Sequence, residues 1–336
     1  MAAVSTRLSV WVVIAVMIGG SAKASPWGNG SPYENASKHA NASSLGNTFP
    51  EIAWPNDATN IARGLRRAAR AAEPPHRIVS LVPATTEMLF AMGAGDRVAG
   101  VSSYDRYPPD VERLPRLGGL LDPNIERVLA LKPDLAIVYH TQAELRQQLE
   151  RAGIPVFPYV HRGLPDVTGT IRSLGTRIGF EAQARALAER IEGQLRAIRA
   201  RVAGRPRPKS LLVFERERGS LRNINASGGY GFLHDMLDIA GSDDAVGDIT
   251  RESVQMSTEM ILARAPDVII ELHYGVSLGP AQIESERHVW DQLASVPAVK
   301  NGRVYLIVGD EYVVPGPRMA PATERLARLL HPDAFK

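Results

Sequence analysis

The chain has 336 residues, 44% of them hydrophobic and 22% charged, which is the composition of a globular protein with about two domains. It contains no cysteine, so a disulfide framework and thiolate-based metal or redox chemistry are excluded. The formal net charge of +3 falls to +1 without Arg7 and Lys23 of the first 24 residues, which excludes the strongly basic character typical of nucleic-acid-binding proteins.

The N-terminal segment, residues 1–24, has the pattern of a secretory signal peptide. Arg7 precedes an apolar run over residues 8–17, and Ala22-Lys23-Ala24 matches a small-residue cleavage site, which predicts cleavage before Ser25. The apolar run is about half of the ~20 residues that a membrane-spanning helix needs. Since no cysteine is available for lipid attachment, the sequence predicts a freely diffusing protein of the periplasm without stable membrane insertion.

Residues 25–75 form a polar N-terminal extension that is dominated by Ser, Asn, Gly, Pro and Ala. Such a stretch buries too little apolar surface to offset the entropy lost on ordering, so we predict that most of it is disordered. Within the extension, residues 58–72 have a helical pattern that ends at Pro74-Pro75.

From residue 76 onward, short β-rich runs alternate with helical segments. The predicted strands cover residues 78–82, 98–101, 135–139 and 156–160. The predicted helices cover residues 85–92, 125–131 and 143–152. This alternation is typical of parallel strands joined by crossover helices, the arrangement of an α/β lobe.

The same order of elements returns in the second half of the chain. Residues 124–134 (NIERVLALKPD) are repeated as residues 257–267 (STEMILARAPD), with an offset of 133 at every position. Met88-Leu89 also recurs, as Met236-Leu237. Two repeats in the same order indicate a duplication, and hence two homologous lobes.

Residues 181–203 lie between the repeats and have apolar side chains at helical spacing, with no proline. A helix of this length reaches roughly 35 Å, which is enough to run along two stacked lobes. We therefore predict an α/β fold of two Rossmann-like lobes with parallel sheets, residues 76–180 and 205–336, joined by a single long α-helix, residues 181–204. The same periodicity also fits a surface helix of the first lobe, and the sequence alone does not separate the two.

Aromatic, histidine and polar side chains follow several of the predicted strands. In open α/β sheets, ligands bind beyond the carboxyl ends of the strands, so these residues are predicted to line a cleft between the lobes. Flat aromatic surfaces with hydrogen-bonding tips suit a planar or bulky metal chelate. The predicted ligand-binding set is Ser80, Thr85, Tyr104, Tyr107, Tyr139, His140, Phe214, Tyr230, His273, Tyr274, Asp310 and Tyr312.

Motifs of enzyme chemistry are weak in this sequence. It has no phosphate-binding loop of the G-x-x-x-x-G-K-[ST] type and no H-E-x-x-H pair, and we predict no nucleophile elbow, no catalytic residue, no resident metal and no cofactor. Two other hypotheses stay open. His140, His161 or His273 could serve a secreted metal-chelatase-like enzyme, and a surface scaffold for another protein would need no small ligand.

Glu126 and Glu259 occupy equivalent positions of the two repeats. Each lies in the first turn of its predicted helix, two residues after a capping Asn124 or Ser257, where the helix dipole favours a carboxylate. Because both lobes repeat this arrangement, we predict two matching acidic points on one surface. Such a pair would fit two arginines of a pseudo-symmetric partner.

Three segments resemble the solute-binding proteins of bacterial importers for vitamin B12, ferric siderophores and haem. They are residues 77–87 (RIVSLVPATTE), 100–109 (GVSSYDRYPP) and 124–134, and the resemblance extends from residue 76 to the end of the chain. It implies two lobes that close little around a ligand held between them. It also implies that Glu126 and Glu259 dock onto arginine pockets of a dimeric ABC permease with ATPase subunits, to which this chain, predicted to be a monomer, delivers its ligand.

The resemblance does not select one ligand within that group. Positions at which B12-binding members contact the corrinoid are matched here by Tyr104, Tyr139 and Asp310. Their stacking tryptophans and an arginine are replaced here by Leu120, Ser253 and Val314. An anionic chelate would suit Arg216, Arg218 and Arg222. The sequence thus predicts a periplasmic substrate-binding protein for a metal chelate, namely a corrinoid, a ferric siderophore or haem.

Overall fold

Two separate β-sheets organise residues 73–160 and 162–336, the part of the chain that the computed structural model describes. The predicted signal peptide, the polar extension up to residue 72 with its predicted helix, and His161 lie outside the described residues. Among the helices of the described part, none combines the length and the apolar content needed to cross a bilayer.

The first sheet contains four parallel strands in the order β2-β1-β3-β4. The strands are β1 Ile78–Ser80, β2 Val98–Val101, β3 Leu135–Tyr139 and β4 Val156–Tyr159. β3 is buried along its whole length, as expected for a parallel strand that is covered on both faces. The helices of this half are α1 Pro83–Ala91, α2 Ile125–Ala130, α3 Ala143–Arg151 and α4 Leu164–Ile178.

The second sheet has the order β10-β9-β5-β6-β8, with β7 paired to β5. Its strands are β5 Lys209–Glu215, β6 Ile224–Ser227, β7 Asp243–Asp244, β8 Ser253–Met256, β9 Val268–His273 and β10 Val304–Val308. The helices around it are α6 Phe232–Ile239, α7 Thr258–Arg264, α8 Pro280–His288, α9 Pro297–Lys300 and α10 Met319–Leu330. The prediction of an α/β fold with two lobes is therefore confirmed. The lobe boundaries inferred from the sequence stay a prediction.

The second sheet differs from the first because it is mixed. β5, β7, β9 and β10 are parallel, whereas β6 pairs antiparallel with both β5 and β8. β6 follows β5 after a connection over residues 216–223. That connection is too short for the crossover of about a dozen residues or more that a parallel pair requires.

The long helix between the sheets is α5, Glu181–Val202. Its buried positions recur at helical spacing, and it packs against α4 of the first lobe and against α6 and α10 of the second. One continuous cluster of buried side chains runs through both lobes and includes the buried face of α5. A surface helix of the first lobe alone would not share this core, so that alternative is wrong.

α4 is an element that the sequence pattern did not reveal. It contains Pro165, Gly169 and Gly175, and glycine and proline lower helix propensity. A Cβ on Gly175 would lie 2.1 Å from the Cβ of Ala184 in α5, so glycine permits the close approach of these two helices. Gly179, in the left-handed region with φ 74°, then ends α4 just before α5 begins.

Candidate functional site

Loops that follow the carboxyl ends of strands in the two lobes contact one another. The Arg106 side chain, in the loop after β2, lies 3.9 Å from a carboxylate oxygen of Asp310, which follows β10. The other Asp310 oxygen accepts a hydrogen bond from Gly275 N, in the loop after β9, at 2.7 Å. We call the space between these loops the interlobe groove. It lies where open α/β sheets bind ligands.

At one end of the groove, the lobes are joined by the interlobe cluster, which consists of Glu87, Tyr107, Glu311 and Arg318. Arg318 Nε donates to Oε2 of the buried Glu87 at 2.9 Å, and its guanidinium lies 4.2 Å from the centre of the Tyr107 ring. Arg318 Nη1 lies 3.4 Å from Glu311 Oε2. Burial raises the pKa of Glu87, although Arg318 opposes this shift. Because Glu87 and Arg318 belong to different lobes, their ion pair restrains the lobes against each other.

The first-lobe wall of the groove carries Tyr104, Tyr139 and His140. Tyr104 is half-buried and packs over Gly119. Tyr139 is buried, with its ring edge-on to that of Tyr159 and 5.9 Å between the ring centres. His140 is exposed, and its Nδ1 lies 3.3 Å from the carbonyl oxygen of Tyr159. Tyr104 and His140 therefore keep accessible surface, whereas Tyr139 lies within the core.

Asp105 is a buried carboxylate behind this wall that the sequence analysis did not assign. Its Oδ2 accepts a hydrogen bond from Ser102 N at 2.9 Å, and its carbonyl oxygen accepts one from Arg116 Nη1 at 2.6 Å. Burial raises the pKa of Asp105 to about 6, against the hydrogen bonds that lower it. These bonds fix the loop that carries Tyr104 and Tyr107.

Four predicted ligand contacts lie in the protein interior instead of the groove. Ser80 Oγ and Thr85 Oγ1 are 2.9 Å apart and fully buried, so the two hydroxyls satisfy each other at the turn from β1 into α1. Phe214 and Tyr312 are buried in the core that runs through both lobes. Ser80 and Thr85 have no accessible surface and Phe214 and Tyr312 are only 3% exposed, so the structure does not place these four side chains on the groove surface. A position at or near the end of a strand is compatible with a buried or an exposed side chain.

His273 and Arg216 belong to a buried polar cluster of the second lobe. Arg216 Nε donates to Glu271 Oε2 at 3.0 Å, and its Nη2 lies 2.8 Å from Glu286 Oε2. Trp290 Nε1 donates to Glu271 Oε2 at 2.7 Å, and His273 Nε2 lies 2.9 Å from Glu271 Oε1. The prediction that Arg216 faces an anionic ligand is wrong, because the guanidinium is buried and its donors are taken up by these carboxylates and by backbone carbonyl oxygens.

The second-lobe wall of the groove carries Tyr274 and Asp310. Tyr274 is half-buried, and burial raises its pKa. Glu215, at the end of β5, accepts a hydrogen bond from Asn225 Nδ2 at 3.1 Å, and burial raises its pKa as well. The wall therefore presents one aromatic ring among carboxyl groups.

The other end of the groove contains a cavity of about 350 Å³ that we call the interlobe pocket. Residues near the start of α4 line it from the first lobe, and residues near the start of α6 line it from the second. They are Arg162, Gly163, Pro165 and Asp166, and Gly229, Tyr230, Gly231, His234 and Asp235. Tyr230 is the member of the predicted set that lines this pocket. Two further side chains with binding chemistry, Arg162 and His234, also line it and were missing from that set.

Long-range contacts position the polar groups of the interlobe pocket. Asp235 Oδ2 accepts a hydrogen bond from Leu164 N at 2.8 Å, which ties α6 to the first turn of α4. His234 Nδ1 lies 3.2 Å from Oδ2 of Asp244, whose side chain is buried. Glu252 packs beside the glycine that precedes α6, and burial raises its pKa to about 7. No local sequence signal indicates that His234 and Asp244 pair.

α2 and α7 begin as the repeat predicts. Asn124 Oδ1 and Ser257 Oγ each accept a hydrogen bond from the backbone N–H of the third residue of the helix, at 2.9 Å and 3.2 Å. Glu126 and Glu259 are exposed in the first turns. Hydrogen bonds from its own backbone N–H and from Ser257 lower the pKa of Glu259. The predicted caps are confirmed, and a docking role for the two glutamates stays a prediction.

Residues 275–279 read GVSLG and match the G-x-S-x-G pattern of a nucleophile elbow, although none is predicted above. They form part of the loop between β9 and α8. Ser277 is exposed and lies several residues beyond the end of β9, whereas an elbow places its serine at a tight strand-to-helix turn. Within the described residues, no three His, Cys, Asp or Glu side chains are grouped so that they could hold a metal ion.

Comparisons with known proteins agree with this architecture. A family model described as periplasmic binding protein matches residues 78–310. The uncharacterised ABC transporter substrate-binding lipoprotein YvrC of Bacillus subtilis is 32% identical over 269 residues, which cover 78% of this chain and 82% of that protein. A vitamin B12-binding protein of Yersinia pestis is 28% identical over 233 residues, which cover 69% of this chain and 79% of that protein.

A solved structure extends the comparison. The periplasmic haem-binding protein RhuT from Roseiflexus sp., in its apo form, superposes with a TM-score of 0.65 and 27% identity. The match covers 78% of this chain and 99% of that one. These similar proteins are substrate-binding proteins, so the comparisons do not support the alternative of a chelatase-like enzyme.

Proposed function

Because this chain belongs to the family of periplasmic binding proteins, we propose that it binds a metal chelate in the interlobe groove and delivers it to the permease of an ABC importer. Its similarity to a vitamin B12-binding protein and to a haem-binding protein supports this ligand class. The observation that carries the proposal is that both lobes have partly exposed tyrosines on the loops that follow their strands or precede their helices. They are Tyr104, Tyr107, Tyr230 and Tyr274. Flat rings on both sides fit a planar or macrocyclic ligand.

The proposed ligand contacts are the side chains that reach the groove. Burial removes Ser80, Thr85, Phe214 and Tyr312 from the predicted set, and we leave out His273 because its Nε2 lies 2.9 Å from the buried Glu271. Tyr139 supports the wall without direct access. Two side chains of the interlobe pocket are added. The proposed contacts are Tyr104, Tyr107, His140, Arg162, Tyr230, His234, Tyr274 and Asp310.

The contacts between the lobes support a groove that is formed before the ligand arrives. Arg318 pairs with the buried Glu87 across the lobes, and α5 packs against helices of both. Moving one lobe would break this pair and leave a buried charge without a partner. A preformed site also avoids the free-energy cost of ordering on binding. We therefore expect little closure around the ligand.

Delivery requires a surface that one permease can recognise on both lobes. The exposed Glu126 and Glu259 supply it in this proposal, each pairing with a basic side chain of one of two identical permease subunits. Export through cleavage before Ser25, residence in the periplasm and a monomeric state belong to the same proposal. The acidic charges would also steer the loaded protein toward a basic surface.

A thermal-shift panel of cyanocobalamin, haemin and several ferric siderophores tests the proposed ligand class. A ligand at about 100 times its dissociation constant stabilises the folded state by ~2.7 kcal/mol, so one member should raise the melting temperature clearly. The ligand should be recovered chemically unchanged after incubation. A converted ligand would support the chelatase-like alternative, and a panel without any stabilising member would contradict the proposed chelate class.

A further inference from the structure

The two short helices that carry the repeated glutamates expose the same positions to solvent. In α2, Val128 is buried while Glu126 and Leu129 are exposed. In α7, Ile261 is buried while Glu259 and Leu262 are exposed. Each leucine lies three residues after its glutamate, and side chains at this spacing are neighbours on one helix face. Both lobes therefore present a carboxylate beside an uncovered leucine.

The exposure of these leucines is unusual because it is repeated. Leu129 is 38% exposed and Leu262 is 43% exposed. A single exposed leucine needs no explanation, since much of any protein surface is apolar. Among the large hydrophobic side chains that are exposed in the described residues, however, these two are the pair related by the offset of 133. The duplication has thus kept an uncovered apolar side chain at equivalent positions of two lobes whose sequences otherwise differ widely.

We propose that Leu129 and Leu262 are the apolar anchors of the surface that docks onto the permease, each inserting beside the ion pair of its neighbouring glutamate. This inference rests on the proposed function and adds to it the chemistry of the partner. The partner is built from two copies of one subunit, and each copy offers a basic side chain next to an apolar pocket. Two copies of one subunit present the same pocket twice, which matches a feature that this chain presents twice.

The glutamate and the leucine of each helix are expected to contribute differently to docking. A solvent-exposed ion pair contributes little net stabilisation, because the charges are screened and the side chains lose freedom. It does give orientation and faster encounter. An aliphatic side chain that is removed from water contributes more to affinity, in particular when neighbouring contacts exclude solvent. The glutamates alone would therefore align the complex, and the leucines would hold it.

The test measures competition for membrane binding. Fluorescently labelled wild-type protein is bound to right-side-out inner-membrane vesicles of the source bacterium, and unlabelled variants compete for these sites. The double variant Leu129→Ser, Leu262→Ser should need a concentration about tenfold higher or more than the wild type to compete. The matched control is Leu121→Ser, because Leu121 is 58% exposed whereas its counterpart by the same offset, Val254, is only 7% exposed. The control should compete like the wild type.

A second pair of substitutions separates failure of the inference from failure of the proposed function. The double variant Glu126→Lys, Glu259→Lys should lose competition, and all variants should keep the wild-type melting temperature. Loss with the lysine variant but full competition by the serine variant would overturn the role of the leucines alone. Absence of saturable binding, or full competition by the lysine variant, would overturn the docking proposal and the inference with it.

The remaining outcomes concern specificity and self-association. An equal loss with Leu121→Ser would show that any exposed leucine matters, which would overturn the argument from repetition. Light scattering of the purified protein identifies the other occupant of these faces. A dimer that the Leu129→Ser, Leu262→Ser variant converts to a monomer would assign the leucines to a second copy of this chain, and would also overturn the inference.

Discussion

At one end of the interlobe groove Arg318 joins Glu87, Glu311 and the ring of Tyr107, whereas at the other end His234 and Tyr230 line a pocket of about 350 Å³. The charged groups of the first end are paired with each other across the lobes. At the second end, His234 Nδ1 lies 3.2 Å from the buried Asp244, which is not one of the pocket-lining residues, and the pocket is open. The comparison indicates that one end holds the lobes together while the other is available to a ligand.

The difference has a consequence for how each end responds to mutation. A buried ion pair stabilises little relative to apolar residues, but the loss of one partner is costly because the other charge stays buried. An open pocket lined by half-buried side chains has no such dependence. We therefore expect substitutions at the interlobe cluster to change folding and substitutions at the interlobe pocket to change binding.

The largest effect is expected from Arg318→Met. The substitution leaves Glu87 buried without its guanidinium partner, so the free energy of unfolding should fall by about 3–5 kcal/mol. Urea denaturation followed by circular dichroism measures this change. The control is Arg325→Met, since Arg325 is exposed and the loss of its pair with Glu311 should cost no more than about 1 kcal/mol.

A second substitution sharpens this test. Glu87→Gln in the Arg318→Met background removes the unpaired charge and should recover part of the lost stability. Equal losses in the Arg318 and Arg325 variants would mean that the interlobe cluster does not fix the lobes.

The pH dependence of stability should distinguish the pocket end through Glu252. Burial raises the pKa of Glu252 from 4.5 to about 7. Between these two pH values the carboxyl group is protonated in the folded protein and ionised in the unfolded chain. The free energy of unfolding therefore falls as pH rises from 4.5 to about 7. Glu252→Gln should remove this fall and be more stable than the wild type at about pH 8 by about 1–2 kcal/mol, a value reduced for partial solvent exposure.

Denaturation curves at several pH values check this prediction. Below pH 4.5 the Glu252→Gln variant and the wild type should agree, because both are then uncharged at this position. Asp248→Asn is the control, since its pair with Arg264 lowers the pKa of Asp248 and no gain at high pH is expected. If the free energy of unfolding of the wild type falls no more than that of Glu252→Gln between pH 4.5 and about 7, the raised pKa of Glu252 is contradicted.

The smallest effect is expected for ligand affinity. Tyr230→Ala should weaken binding of the panel ligand by about threefold to tenfold, because an aromatic contact contributes ~0.5–1.5 kcal/mol beyond its buried area. Its free energy of unfolding should stay near that of the wild type, while Tyr107→Ala should lower both quantities because Tyr107 also stacks on Arg318. Calorimetric titration measures the affinity, and Tyr230→Phe should retain it. Equal behaviour of the two alanine variants would remove the distinction between the ends of the groove.

The parts of the fold that depend on local pattern were predictable. The helix over 181–203 was recognisable from its spacing and its lack of proline, and the structure has it at Glu181–Val202. The capping roles of Asn124 and Ser257 followed from residue type and position. α4 was missed because Gly175 conceals its helical pattern, and the reason for that glycine is contact with Ala184 of another helix.

Only some of the side chains that line the groove could be predicted from the sequence. Ser80 is the last residue of β1 and Tyr104 lies shortly after β2, yet Ser80 is fully buried and Tyr104 is half-buried. The sequence does not distinguish them, because the outcome depends on which side chains from other elements cover each position. Arg216 shows the same limit, since its partner Glu271 lies on a strand far along the chain.

The sequence by itself determined the duplication, the two α/β lobes, the long helix between them and the repeated glutamates, because residue type and spacing along the chain indicate each of them. Tertiary structure decided which side chains face the groove, where the second sheet becomes mixed and how the lobes are held. Arg318 and Glu87 are 231 positions apart, and no local pattern can specify a contact between residues so distant in sequence.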